Sequence, residues 1–308
     1  MLFRSSMMKK LYRTAFVLSA LIGGVTIAGS VNATVASSAE PQSPNIVLIY
    51  ADDLGYGDVG LYNSESKVPT PNIDRVGREG VWLTDGHSAS ATCTPSRYSL
   101  MTGRYAWRTR LQQGVLMPWG EPLLGENQQT LGDLLKTAGY ETALIGKWHL
   151  GINWPWRDGV RPPDAEILHG GWISRATNAL FDWSQPLQGG PTASGFDYYF
   201  GDDVPNFPPY AWIENDRLVS GTIIDVPRSA LLSVGAAGGI HGSGTGKPAW
   251  QPDRVVPTLV KKANDYIHER KESDTPSFLM VSLTSPHTPV APTPESHVPT
   301  EARPQCDF

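Results

Sequence analysis

The sequence predicts an α/β domain around a largely parallel sheet, and three observations predict it. Short β-branched apolar runs alternate with helical stretches, as strand–helix–strand units do. Forty per cent of the residues are hydrophobic and ten are tryptophan, enough for a substantial core. Three of the apolar runs end in reactive polar groups, and in open α/β sheets ligands sit beyond the carboxyl ends of the strands.

The first 36 residues stand apart from this domain. Arg4, Lys9, Lys10 and Arg13 precede an apolar run from Ala15 to Val31, followed by small-residue sites such as Val31-Asn32-Ala33. That is the order of a secretory signal peptide. An uncleaved membrane anchor is the alternative, because the run approaches spanning length, although Gly23, Gly24 and Gly29 interrupt it. The expectation is export, to the periplasm or the medium, with no stable membrane span after cleavage.

The run PNIVLIY (44–50) reads as a buried strand that ends in the polar loop ADDLGYGD. Thr70-Pro71 opens a short helix that Gly80 closes, and VWLTDG (81–86) reads as a second strand. Residues 94–101 form a helix with Pro95 near its start and Gly103 past its end. LGDLLKTAGY is a helix stopped by Gly139, and the strand ETALIGK follows. Residues 152–252 are rich in Gly, Pro and Trp and read as long loops with short strands. Within them GAAGGIHGSGTG lacks a phosphate-loop pattern and reads as a flexible surface loop. DRVVPTLVKKANDYIHERK is an amphipathic helix, and SFLMVSLTS is another buried strand.

Lys plus Arg total 25 against 30 acids, with no basic stripe, which argues against a nucleic-acid partner. Two cysteines exclude a disulfide scaffold.

Chemistry collects at the strand ends. Asp52 and Asp53 follow the first strand, where a turn through Gly55 lets both aim at one point; two hard oxygen donors suit Ca²⁺ or Mg²⁺. A solvated turn is the alternative. Lys147 and His149 share a face of an extended segment while Trp148 packs the other way. A cation and an imidazole in one pocket suit an oxyanion and proton transfer, and a surface strand end is the alternative. His287 follows the last strand. Cys93 and Arg97, four apart, share a helix face, with Cys93 at the amino end that favours anions. A buried structural cysteine and a thiolate nucleophile remain open for it.

Cys93-Thr94-Pro95-Ser96-Arg97, continuing to Thr102-Gly103-Arg104, resembles the C-x-P-x-R signature of the sulfatases, formylglycine-dependent members of the alkaline phosphatase superfamily. ADDLGYGD, GKWHLG, GFDYYFG and SPHTP are similar to sulfatase segments in the same order. CTPSRYSLMTGRYAWRTRLQQGVLMP is closest to the arylsulfatase A-like branch. The resemblance runs over residues 44–292. It implies a large mixed, mostly parallel sheet flanked by helices, here incomplete. It also implies a sulfuric ester hydrolase acting on an aryl or carbohydrate sulfate.

By that resemblance a maturation enzyme oxidises Cys93 to Cα-formylglycine, whose hydrate takes up the sulfuryl group and releases sulfate by C–O cleavage. Asp52, Asp53 and the oxygen at position 93 would ligate Ca²⁺, or Mg²⁺. Arg97 would fix the modified residue and Lys147 would bridge it to sulfate. His149 would accept the proton for collapse, and His287 would contact sulfate near the leaving group. His87, His169, His241, His268 and His297 match no such segment and are expected on the surface or in packing. Asn206 to Tyr210, NFPPY, could line the substrate entrance or pack on its own aromatics.

Family members continue well beyond SPHTP, with a second acidic pair, a further lysine and a smaller carboxy-terminal domain. Against that pattern the expectation for residues 37–308 is an amino-terminal part of the catalytic domain, with uncovered sheet edges and little or no activity. Two aspartates and one oxygen fall short of the about six to eight donors Ca²⁺ takes. Residues 293–308, with Cys306, read as an aberrant tail from a frameshifted or prematurely ended frame; a Cys93–Cys306 disulfide is a further alternative. A phosphonate or phosphate ester hydrolase and a non-catalytic fragment are the competing functions.

Overall fold

A computed structural model describes residues 43–296, apart from 164–165, 168–174, 220, 233–239, 241 and 249. Residues 1–36, expected to direct export, lie outside the described residues, as do His169, His241, His297, Cys306 and the tail from 297.

The sheet is mixed and mostly parallel. Its strands are β1 (Ile46–Asp52), β2 (Glu141–Lys147), β3 (Tyr198–Asp202), β4 (Ile213–Glu214), β5 (Arg217–Leu218) and β8 (Ser277–Pro286), in the order β1-β8-β2-β3-β4-β5. The first four in that order run parallel, and β4 and β5 return antiparallel. A two-stranded ribbon, β6 (Ile224–Val226) with β7 (Gly244–Gly246), lies outside the sheet.

Alternation along the central strands builds two cores. Leu144, Tyr199, Phe278 and Met280 face one side, where they join Tyr98 and Met101 of α2 (Cys93–Thr102) and a tryptophan-rich cluster around Trp119. Ala143, Ile145, Phe200, Leu279 and Val281 face the other side. There α5 (Val255–Glu269) covers them with Val255, Leu259, Ala263 and Tyr266, a stripe at helical spacing. The middles of β2 and β8, Ala143 to Ile145 and Phe278 to Val281, are therefore apolar because both faces are covered.

Helices α1 (Pro71–Glu79) and α3 (Leu131–Thr137) form where Thr-Pro and Thr-x-x-Asp signals stand, and α4 (Arg228–Leu232) is a single short turn. At α3 the Thr130 hydroxyl accepts from the Asp133 N–H while Asp133 caps the Thr130 N–H, a reciprocal capping box. Helix α2 ends at Gly103, whose left-handed φ of 66° lets its N–H reach the Ser99 carbonyl.

Three expectations are corrected. VWLTDG is not a strand: among the described residues it pairs with none, and Val81 and Leu83 lie exposed. Strand β1 is buried on one face only. Ile46, Leu48 and Tyr50 pack on the first core, but Val47 and Ile49 are 50% and 66% exposed, because no described helix covers that face. The glycine-rich 235–246 segment is not all surface loop, since Gly244, Thr245 and Gly246 form buried β7.

Candidate active site

Parallel register delivers the ends of four strands to one edge. Gly146 pairs with Ser282, Lys147 with Asp202 and Asp52 with Pro286. Gly146 makes this possible: a Cβ there would lie 1.8 Å from the Ser282 carbonyl oxygen, so only glycine lets β2 and β8 close at this level. The turn after β1 is made at Asp53 itself, with φ of 64°, rather than at Gly55. Beyond it the His287 N–H donates to the Asp52 carbonyl at 2.9 Å, which carries the chain after β8 alongside Asp53.

Asp52 is the electrostatic hub. Its Oδ2 accepts from Lys147 Nζ at 2.6 Å, and its Oδ1 lies 3.4 Å from the Arg97 guanidinium. Burial alone would raise the Asp52 carboxyl, but Lys147 and then Arg97 outweigh it and hold it below the usual carboxylate range. Arg97 is itself buried. It donates to the Lys147 carbonyl at 2.8 Å and the Ser282 hydroxyl at 2.5 Å, and its guanidinium sits over the Tyr50 ring. With the encoded thiol at position 93, the contacts of Arg97 go to Asp52 and the strand ends.

Cys93 is the first residue of α2, at the helix end that favours anions. Lys147 Nζ lies 3.3 Å from its sulfur, and His287 hydrogen-bonds it. Burial works against ionisation of the thiol, but the His287 bond and the Lys147 charge lower it below the ordinary value. The same bond raises His287 above the usual imidazole range against the effect of burial. His287 Nε2 is 3.8 Å from Asp53 Oδ2.

His149 reaches the site by a turn, not by strand alternation. Strand β2 stops at Lys147, and His149 has φ of 56° with its N–H donating to Asp203 Oδ1 at 3.1 Å. Trp148 packs into the first core as expected. His149 Nε2 faces the Leu116 carbonyl at 2.9 Å; a carbonyl only accepts, so Nε2 carries the hydrogen and Nδ1 the lone pair. Nδ1 is buried without a hydrogen-bond partner. Burial, then Lys147, keeps this ring neutral, well below the usual range.

Asp53, Cys93, His149 and His287 line one cavity of about 320 Å³ with Asn206 and Phe207. One ligand atom from each of Asp52, Asp53 and Cys93 lies within 4.8 Å of the others. Asp53 is half exposed and open to a further partner. Two carboxylates converging with the residue-93 side chain fit one side of a hard-cation shell.

Sequence reasoning missed Asp202 and Asp203, which end β3 at the same edge. Both are buried. Asp203 is pushed up to about 6 by burial, against the His149 N–H and Lys147, and Asp202 is raised further by burial and the Asp203 charge. It also missed Thr94, whose hydroxyl donates to the His149 carbonyl at 3.0 Å and accepts from the Leu116 N–H at 3.1 Å. His87 and His268 are exposed, in line with surface roles.

Fold and edge together define an α/β protein with a cavity at its strand ends lined by Asp53, Cys93, His149 and His287, and with Lys147 and Arg97 buried behind it on Asp52. The Sulfatase family model matches residues 44–306, and the chain belongs to that family. It is 44% identical to human arylsulfatase A over 261 residues, covering 83% of this chain and 44% of that protein. It is 29% identical to an N-acetylgalactosamine-6-O-sulfatase of Bacteroides thetaiotaomicron over 277 residues, covering 82% and 50%. A solved Bacteroides thetaiotaomicron structure from work on glycosaminoglycan metabolism superposes with a TM-score of 0.65 at 30% identity, covering 82% of this chain and 53% of that one. A sulfatase from a Pseudoalteromonas species gives 0.51 at 25% identity, covering 82% and 46%. The chain spans about half the length of the curated relatives it matches.

Proposed function

We propose that the protein is an exported sulfuric ester hydrolase, periplasmic or secreted, that removes sulfate from an aryl or carbohydrate sulfate ester. The observation that carries this reading is the convergence of Cys93, Lys147, His287, Asp52 and Asp53 within a chain of this family. The names of the relatives, an arylsulfatase and an amino-sugar sulfatase, support that substrate class.

The encoded thiol stands in for formylglycine, whose hydrated aldehyde supplies a nucleophile that regenerates itself on releasing sulfate. Asp52 and Asp53, with an oxygen at position 93, would hold Ca²⁺, or Mg²⁺, which supplies Lewis-acid polarisation of sulfate oxygens when bound. The chain's own groups do the rest. Lys147, poised between Asp52 and residue 93, offers its ammonium to the incoming anion. The free amides at the start of α2 add to that field. His149 Nδ1, with a lone pair and no partner, takes the proton from the residue-93 hydroxyl. His287, raised toward the protonated form, donates to the leaving-group oxygen. Arg97 keeps Asp52 ionised and in place.

The test is turnover of matched aryl sulfate and aryl phosphate esters by protein co-produced with a formylglycine-generating enzyme. Whatever turnover this chain supports is expected to be faster on the sulfate ester. Preference for the phosphate ester would move the protein to phosphate or phosphonate chemistry. No turnover of either, with residue 93 oxidised, would favour a non-catalytic fragment.

A further inference from the structure

Thr94 follows Cys93 in the first turn of α2 and is fully buried, yet no catalytic step uses it. A threonine hydroxyl in a helix can return to the carbonyl four residues back, as Thr102 does to Tyr98 at 2.7 Å in this same helix. Thr94 does not. The carbonyl four back from it, Ser90, already accepts from the Ser88 hydroxyl at 2.7 Å and the Ser96 hydroxyl at 2.6 Å. The Thr94 hydroxyl reaches instead to two segments far away in the sequence.

Both of those contacts bear on His149. The hydroxyl donates to the His149 carbonyl at 3.0 Å and accepts from the Leu116 N–H at 3.1 Å. The Leu116 carbonyl in turn accepts from the His149 ring at 2.9 Å. One oxygen thus ties the backbone of the histidine to the residue that holds its imidazole, and all three residues are buried. His149 needs such a tie. Its φ of 56° is uncommon for a residue with a Cβ, and β2 has already ended at Lys147. Asp203 takes the His149 N–H, but that bond leaves the ring unaddressed. Without the Thr94 hydroxyl, the Leu116 N–H and the His149 carbonyl would both lose a partner in a buried place. Such a loss is relieved by the two segments moving apart toward water. The imidazole would then lose the fixed carbonyl that sets which of its nitrogens carries the hydrogen.

We propose that Thr94 is a positioning residue: its hydroxyl locks Leu116 to His149, so that the imidazole keeps its hydrogen on Nε2 and leaves Nδ1 as the basic nitrogen. This deepens the hydrolase reading, which routes a proton to Nδ1, and rests on that reading for its purpose.

The experiment follows the His149 ring by NMR on the full chain, uniformly nitrogen-labelled at neutral pH, with the ring signals assigned by their loss in His149→Gln. In the unaltered protein the ring should show a single tautomer, with the hydrogen on Nε2 and slow to exchange with water. In Thr94→Val that hydrogen should exchange at least about tenfold faster, the worth of the lost hydrogen bonds, and the Nδ1–H tautomer should appear beside it. The backbone N–H of Leu144, in the middle of β2, should keep its rate, which separates loss of the lock from general loosening. Thr94→Ser restores the hydroxyl and should restore both readings. A mixture of tautomers in the unaltered protein overturns the proposal without recourse to any Thr94 variant. So does an unchanged ring in Thr94→Val, equal acceleration of the ring hydrogen and the Leu144 N–H, or a Thr94→Ser protein that behaves like Thr94→Val. None of these results uses turnover, so the hydrolase reading stands or falls separately on the ester assay.

Discussion

Substituting Asp203 by asparagine should make the protein more stable at neutral pH. The side chain is buried, and its carboxyl is raised from 3.8 to about 6, chiefly by desolvation. Its one hydrogen bond of note, from the His149 N–H at 3.1 Å, is to an oxygen that asparagine also has. The native state therefore holds the proton more tightly than the unfolded chain. Between pH 3.8 and about 6 the native state binds more protons, so this group's contribution to stability falls as pH rises through that window and is flat above it. Each unit is worth about 1.4 kcal/mol, so the ionised carboxylate costs about 3 kcal/mol at pH 7. For a domain of this size that corresponds to an unfolding temperature higher by roughly 6–12 °C. Urea unfolding of both proteins at pH 4 and pH 7 measures it. The curves should nearly coincide at pH 4 and separate at pH 7 in favour of Asp203→Asn. A variant less stable at pH 7 would show that the carboxylate is stabilising as a charge, and one separated equally at both pH values would show that ionisation is not the cause; either result refutes the desolvation argument.

Lys147→Met should destabilise by about 3–5 kcal/mol, since it leaves the Asp52 carboxylate buried beside Arg97 alone. Adding Asp52→Asn should recover much of that loss in thermal unfolding. Gly146→Ala should remove more than about 4 kcal/mol, because the new Cβ meets the Ser282 carbonyl backbone and cannot rotate away; circular dichroism of the soluble fraction reads the outcome. Ca²⁺ at about a hundred times its dissociation constant should stabilise by about 2.7 kcal/mol, with the gain lost in Asp53→Asn, whose half-exposed side chain contributes little to the fold itself. Differential scanning calorimetry with and without chelator tests this.

The strand ends were legible because reactive groups there stand out against apolar runs. Asp52, Lys147 and His287 follow such runs, and parallel register brings them to one edge. Asp202 and Asp203 obey the same rule at the end of β3, but GFDYYFGDD lies in a stretch without clear period, expected to hold short strands without showing where one ends, so the two aspartates were not singled out. His149 was legible as a site residue though not in its geometry, since a positive φ leaves no mark in the sequence. VWLTDG has strand-like residues, but a strand needs a neighbour, and none of the described strands pairs with it. Conversely, Gly244–Gly246 has poor strand propensity and is a strand because β6 pairs with it and Tyr210 hydrogen-bonds across it. The Arg97–Asp52 pair went unread for a similar reason, since helix spacing places a side chain on a face without saying what stands opposite.

The central claim concerns the side chain at position 93, and peptide mass spectrometry across Thr92–Arg97 addresses it most directly. In protein co-produced with a formylglycine-generating enzyme, the peptide should be lighter by the exchange of one sulfur and two hydrogens for one oxygen, and it should react with an aldehyde probe. A peptide that retains an unmodified thiol under those conditions would contradict the account.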